Sequence, residues 1–159
     1  MIILYHCYGG THSSIIACWM HLNRLPMDSI PDRKTIENLP LFDQLTSQDH
    51  GRIIKIGTDE LGNTICSLGL KNQKNMIIPA LKDLYYEIYK STDGFLDVDT
   101  SQAVNITMKI GGFISRSLKL TALGRPIVVS GSIKAYKNIA QIVANTKKQE
   151  QEASKQTVT

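Results

Sequence analysis

The first fourteen residues constrain the fold more than any other stretch. Ile2-Ile3-Leu4-Tyr5-His6-Cys7 is an apolar run closed by Tyr8-Gly9-Gly10 and followed at once by Thr11-His12-Ser13-Ser14. A short apolar run bounded by glycines reads as a buried parallel strand. Beyond it, Ile15, Ile16, Trp19 and Met20 recur on one face of a helix from Ser13 to Arg24, which Thr11 or Ser13 can cap. A buried strand that turns through glycines straight into a helix commits the chain to the α/β class.

The later segments extend that pattern. The polar stretch 26–50 carries three prolines and only short helical pieces, and reads as an excursion over the domain, a candidate lid. Arg52–Gly57 and Thr64–Leu70 flank Asp59-Glu60-Leu61-Gly62-Asn63 and predict a β-hairpin. Ala80, Leu81, Leu84, Tyr85, Ile88 and Tyr89 keep helical spacing over more than two turns. Phe95–Asp99 predicts a short strand, and a helix is expected from about Gln102 to Leu118. Pro126–Val129 reads as a last core strand, and a helix after Gly131-Ser132 would bury Tyr136, Ile139, Ala140 and Val143. The expected architecture is a three-layer α/β sandwich, mainly a parallel sheet with an added β-hairpin at one edge. One domain is expected over 1–146, with a polar, disordered tail over 147–159.

Charge and cysteine content narrow the function classes. The 159 residues carry a formal net charge of +4 and a pI near 9.0, which favours an anionic small molecule over nucleic acid. No apolar run is long enough to span a bilayer, and the opening residues lack a basic leader, so neither membrane nor export is expected. Cys7, Cys18 and Cys66 are odd in number and without metal-type spacing, which suits a reducing, cytoplasmic setting.

Three junctions then converge as a candidate site: Cys7 to Ser14, Asp97 to Ser101, and Val129-Ser130-Gly131-Ser132. In an open parallel sheet such turns gather at the carboxyl edge, where helix starts present free N–H groups and a positive dipole end. Tyr8, Gly9, Gly10, Thr11, His12, Ser13, Ser14, Thr100, Ser101, Ser130, Gly131 and Ser132 are therefore the expected ligand-binding residues, with Arg116 and Lys134 as charge partners. Singly, each junction is also explained by helix caps and turn geometry. His12 is the candidate acid/base, Asp99 its carboxylate partner, and Cys7 a candidate nucleophile. Asp97 and Asp99 share one side of a strand and can share a metal, but no third ligand is evident, so no metal is assigned. His6, His21 and His50 lack zinc spacing. Tyr85, Tyr86 and Tyr89 read mainly as helix packing. No motif names a cofactor.

The first loop lacks the lysine of G-x-x-x-x-G-K-[ST], and the dinucleotide fingerprint is absent. It resembles the C-x5-R loop of low-molecular-weight tyrosine phosphatases, except that Ser13 stands in place of the arginine. It is also similar to the C-x-x-G-x-x-[ST]-S loop of some sugar phosphotransferase IIB proteins, through Cys7, Gly10, Ser13 and Ser14.

Longer stretches resemble a bacterial domain-of-unknown-function family, DUF3189. They are Ile3 to Ser14, Leu25-Pro26, Ile78-Pro79-Ala80-Leu81-Lys82, Val104 to Phe113 and Leu123-Gly124-Arg125-Pro126. The resemblance implies a Gram-positive or phage-related cytosolic setting and no particular reaction. It also implies variation at Cys7 and Cys18, which weighs against a thiol mechanism.

Three functions remain open. One is a module that senses or sequesters a nucleotide or other phosphorylated small molecule. The alternative is a hydrolase or transferase on a phosphorylated or nucleoside substrate, with His12 and Asp99 as acid/base pair. The third is a homo-oligomeric interaction protein, with Gly111-Gly112 as a close-packing dimer face.

Overall fold

Strand β1 (Ile2–Cys7) forms from the opening apolar run and lies at the centre of the sheet. The computed structural model describes residues 1–156, with side chains described through residue 153. Strands β2 (Ile54–Thr58), β3 (Thr64–Gly69) and β4 (Phe95–Asp99) complete a four-stranded sheet of order β2-β3-β1-β4. β1 pairs in parallel with both β3 and β4, and β2 runs antiparallel to β3 as the hairpin partner.

Alternation along the strands sends successive side chains to opposite faces. Ile3, Tyr5, Ile65 and Val98 face helices α1 (Ser13–His21) and α5 (Thr121–Gln156). Leu4, Cys66 and Leu68 face α3 (Lys74–Tyr89) through Ile78 and Leu81. Covering both faces gives the three-layer α/β sandwich that the alternating segments predict.

The C-terminal third differs from expectation. Pro126–Val129 is not a strand but part of α5, which is 36 residues long. Among its buried positions, Val128, Ser132, Ala135, Ile139, Val143, Thr146 and Glu150 recur every three or four residues and form one continuous stripe, widened by Val129, Tyr136 and Ala140. The β-branched run and the Gly131-Ser132 pair hide that stripe in the sequence. Gly131 makes no turn; a Cβ there would lie 2.6 Å from the Met108 nitrogen, so the glycine permits close helix packing. The tail is also corrected: α5 continues past Lys147, and Glu150 is buried. Residues 157–159 of that expected tail lie outside the described residues.

The expected helix from Gln102 to Leu118 is three pieces. A 3-10 turn (Ser101–Ala103) precedes α4 (Ile106–Gly112), which passes into a π turn (Phe113–Ser117). Asn105 starts α4 by accepting the Met108 N–H at 2.9 Å. Gly111 is not available as a dimer face, because its missing Cβ is what lets Val128 of α5 approach within the same chain.

The stretch 26–50 contains α2 (Arg33–Glu37) and a 3-10 turn (Ser47–Asp49). It is anchored along its length: Ile36, Leu39 and Phe42 enter the main core, and Tyr136 donates to the Pro26 carbonyl at 2.7 Å. Among the described residues, no helix is long and apolar enough to cross a membrane.

Candidate functional site

The three parallel strands stop at one edge, where the register pairs Cys7 with Gly69 and His6 with Asp99. Gly10 adopts a φ of +68°, and a Cβ there would lie 2.5 Å from the Gly69 nitrogen. The turn can therefore press against β3 only as glycine. Its N–H donates to Cys7 Sγ at 3.2 Å, and Ser14 Oγ lies 3.4 Å from the same sulfur. Ser67 donates to the Gly10 carbonyl, and Ser13 bonds Thr100, which in turn donates to the His6 carbonyl. Cys7, Ser13, Ser14 and Thr100 thus hold the shape of the loop from beneath. Tyr8 is exposed above it, with Gly9 and His12 partly exposed.

Neither Thr11 nor Ser13 caps α1, contrary to expectation. Thr11 Oγ1 instead donates to the Leu41 carbonyl and accepts the N–H groups of Gln44 and Leu45. His12 occupies the N-cap position without a side-chain cap bond, and Gln73 does the same for α3. The helices α2 and α4, which do not follow a strand of the sheet directly, are capped by Asp32 and Asn105. The helices that start at the carboxyl edge therefore keep backbone donors without a side-chain cap.

His12 has a carboxylate partner, and it is Asp43 rather than Asp99. Nε2 of His12 lies 2.9 Å from Asp43 Oδ1, while Asp43 also faces Arg116 Nε at 3.0 Å and accepts from Ser115 at 2.6 Å. Burial alone would raise the Asp43 carboxyl; hydrogen bonds from His12 and Ser115, with the charges of His12 and Arg116, outweigh it and lower it. The carboxylate fixes the imidazole orientation and leaves Nδ1 toward Gly112, where a Cβ would lie 3.4 Å away.

Asp99 and Asp97 project to the α3 face of the sheet. Asp99 pairs with Lys74 at 2.6 Å and accepts from Ser101 N and Oγ. Asp97 pairs with Lys82, and His6 lies 3.6 Å from it. His6 first, and then Lys82 against the effect of burial, hold the Asp97 carboxyl well below the usual range. Two lysines already balance this carboxylate pair.

The third expected junction does not exist. Ser130, Gly131 and Ser132 lie inside α5 against α4, and the Gly131 carbonyl accepts from Asn105 at 2.8 Å. Lys134 is exposed on the same helix. Arg116 does join the site, through the π turn.

Comparison with family models matches residues 2–148 to the family described as protein of unknown function (DUF3189). The chain belongs to that family. No curated protein and no solved structure matches this DUF3189 member.

Sequence reasoning missed Asp43. Its signal is Phe42, a fully buried aromatic in a polar stretch, which marks 41–45 as folded inward. A second cluster was missed at the opposite edge of the sheet in this DUF3189 protein. His21 Nε2 lies 3.3 Å from Asp59 Oδ2 and 3.2 Å from Glu150 Oε2, and the Tyr5 hydroxyl holds His21 Nδ1 at 2.8 Å. Burial, reinforced by Asp59, pushes the Glu150 carboxyl up to about 7; burial and Lys147 push His21 down to about 4.

Proposed function

We propose that this DUF3189 protein binds a phosphorylated small molecule, a nucleotide being the leading class, over the loop from Tyr8 to Ser13. The supporting observation is the contrast in capping: α1 and α3 begin at the carboxyl edge without side-chain caps, whereas α2 and α4 carry them. Uncapped helix starts present N–H groups and a positive dipole end to an anion. Gly9 leaves the backbone approachable, His12 presents the ring nitrogen that Asp43 does not hold, and Tyr8 an exposed ring. The hydroxyls of Thr11, Ser13, Ser14 and Thr100 play no direct part in this reading, because each already has an internal partner.

The test is mass spectrometry of a nucleotide and sugar-phosphate panel incubated with purified protein, before and after heat denaturation. Binding predicts that one compound leaves the free pool and returns intact on heating. His12→Asn should weaken it by about tenfold or more, the scale of one hydrogen bond to a charged group. A panel left untouched rejects the proposal.

A second reading is favoured by the His12–Asp43 pair, which matches the orientation that a carboxylate gives a general base. Under that reading a compound returns as a new mass, at a rate that depends on pH and is lost in His12→Asn.

A further inference from the structure

We propose that His21, Asp59 and Glu150 form a site for a divalent transition-metal ion of the zinc class, with an open coordination position facing the adjoining cavity. The three side chains come from the end of α1, the β2–β3 turn and the last turns of α5. Their ligand atoms all lie within 4.8 Å of one another.

The spacing is short enough for one ion to bridge all three ligand atoms. Bonds of about 2.0–2.1 Å in a tetrahedron put ligand atoms about 3.3 Å apart. The same bond lengths in an octahedron, as magnesium requires, put neighbouring ligands about 2.9 Å apart. The two distances from His21 Nε2 are 3.3 and 3.2 Å, close to the tetrahedral edge, and the Asp59–Glu150 edge is no longer than 4.8 Å; the choice of the zinc class over calcium or magnesium rests on the imidazole. One imidazole and two carboxylates also form a donor set that suits zinc.

The surroundings are those of a supported ligand set. Tyr5 fixes His21 through the nitrogen that would not bind metal, at 2.8 Å. Asp59 is held through its other oxygen by the N–H groups of Leu61 at 2.9 Å and Asn63 at 2.8 Å. The Asn63 side-chain amide also donates to Glu150 and, at 3.2 Å, to Asp59 Oδ2, the oxygen that faces His21, and Asn63 is held by the N-terminal amine at 2.7 Å. His21 is 1% exposed and Glu150 3%, so the set is desolvated.

A cavity of about 510 Å³ opens on this trio, and Arg24 and Lys147 line it. Three protein ligands beside such a space leave a fourth position for water or an anionic ligand, the arrangement of catalytic rather than structural zinc sites. Nothing here uses the loop at the carboxyl edge, so the inference stands apart from the proposed phosphate site.

The experiment is titration of chelator-stripped full-length protein with zinc chloride by calorimetry, and with cobalt chloride by visible absorption. One saturable equivalent is expected, with the intense cobalt band of tetrahedral coordination and weaker binding of magnesium. Glu150→Gln and His21→Gln should each lower zinc affinity by about tenfold or more, since even supporting residues carry that weight. Glu150→Gln preserves shape and serves alone if His21→Gln fails to fold. Absence of saturable zinc binding overturns the proposal. Undiminished binding in Glu150→Gln overturns it as well and moves the ligands elsewhere, the three cysteines being the next candidates.

Discussion

At the residue scale, Asp43 does most to organise the carboxyl edge, joining His12, Ser115 and Arg116 from a stretch outside the sheet. Asp43→Asn should destabilise the fold by about 1–3 kcal/mol, the cost of leaving buried partners poorly satisfied. The sign of its pH dependence follows from the lowered carboxyl. Its contribution is complete above the unfolded value near 3.8 and is lost as the pH falls through the lower folded value. Denaturant unfolding from pH 7 to pH 3 should show the gap between wild type and Asp43→Asn shrinking at the acid end; a constant gap would refute it. His12 and the glycine loop were legible in the sequence because strand, turn and helix are contiguous there. Asp43 and the opposite cluster were not, because His21, Asp59 and Glu150 meet only through tertiary packing and share no local spacing.

At the element scale, the adjacent glycines of α4 should behave oppositely. A Cβ at Gly111 meets α5 backbone, 2.4 Å from Val128 N, whereas one at Gly112 meets only the His12 ring at 3.1 Å. Gly111→Ala is expected to cost about 1–3 kcal/mol through overpacking. Gly112→Ala should hold or raise stability by up to about 1 kcal/mol through helix propensity, yet weaken ligand binding by crowding His12. Urea unfolding of the two variants checks the first contrast, and equal losses would count against the packing. Cutting the chain after residue 146 should lower the melting temperature, because Glu150 bonds Asn63 and faces His21; an unchanged melting temperature would return the tail to a dispensable role. The four true strands were legible because each is a short run bounded by turn residues. α5 was not: its first half carries strand-like Ile127-Val128-Val129, and its buried stripe ends in polar Thr146 and Glu150.

At the scale of the whole molecule, the sheet separates two chemistries. Backbone donors and Arg116 sit at its carboxyl edge, and a histidine with two carboxylates sits at the other. A phosphorylated ligand held at the first edge should lose affinity as ionic strength rises, and titration at increasing salt would show it. α5 spans both edges: at about 1.5 Å per residue its 36 residues extend for about 54 Å. Thr121, in its first turn, accepts from Arg116, and Glu150, near its far end, faces His21. Opening either edge alone leaves this helix pinned by the other and by the buried stripe between them. Its central amides, from about Val128 to Val143, should therefore exchange with deuterium only when the entire molecule unfolds, while the β2–β3 hairpin exchanges through smaller openings.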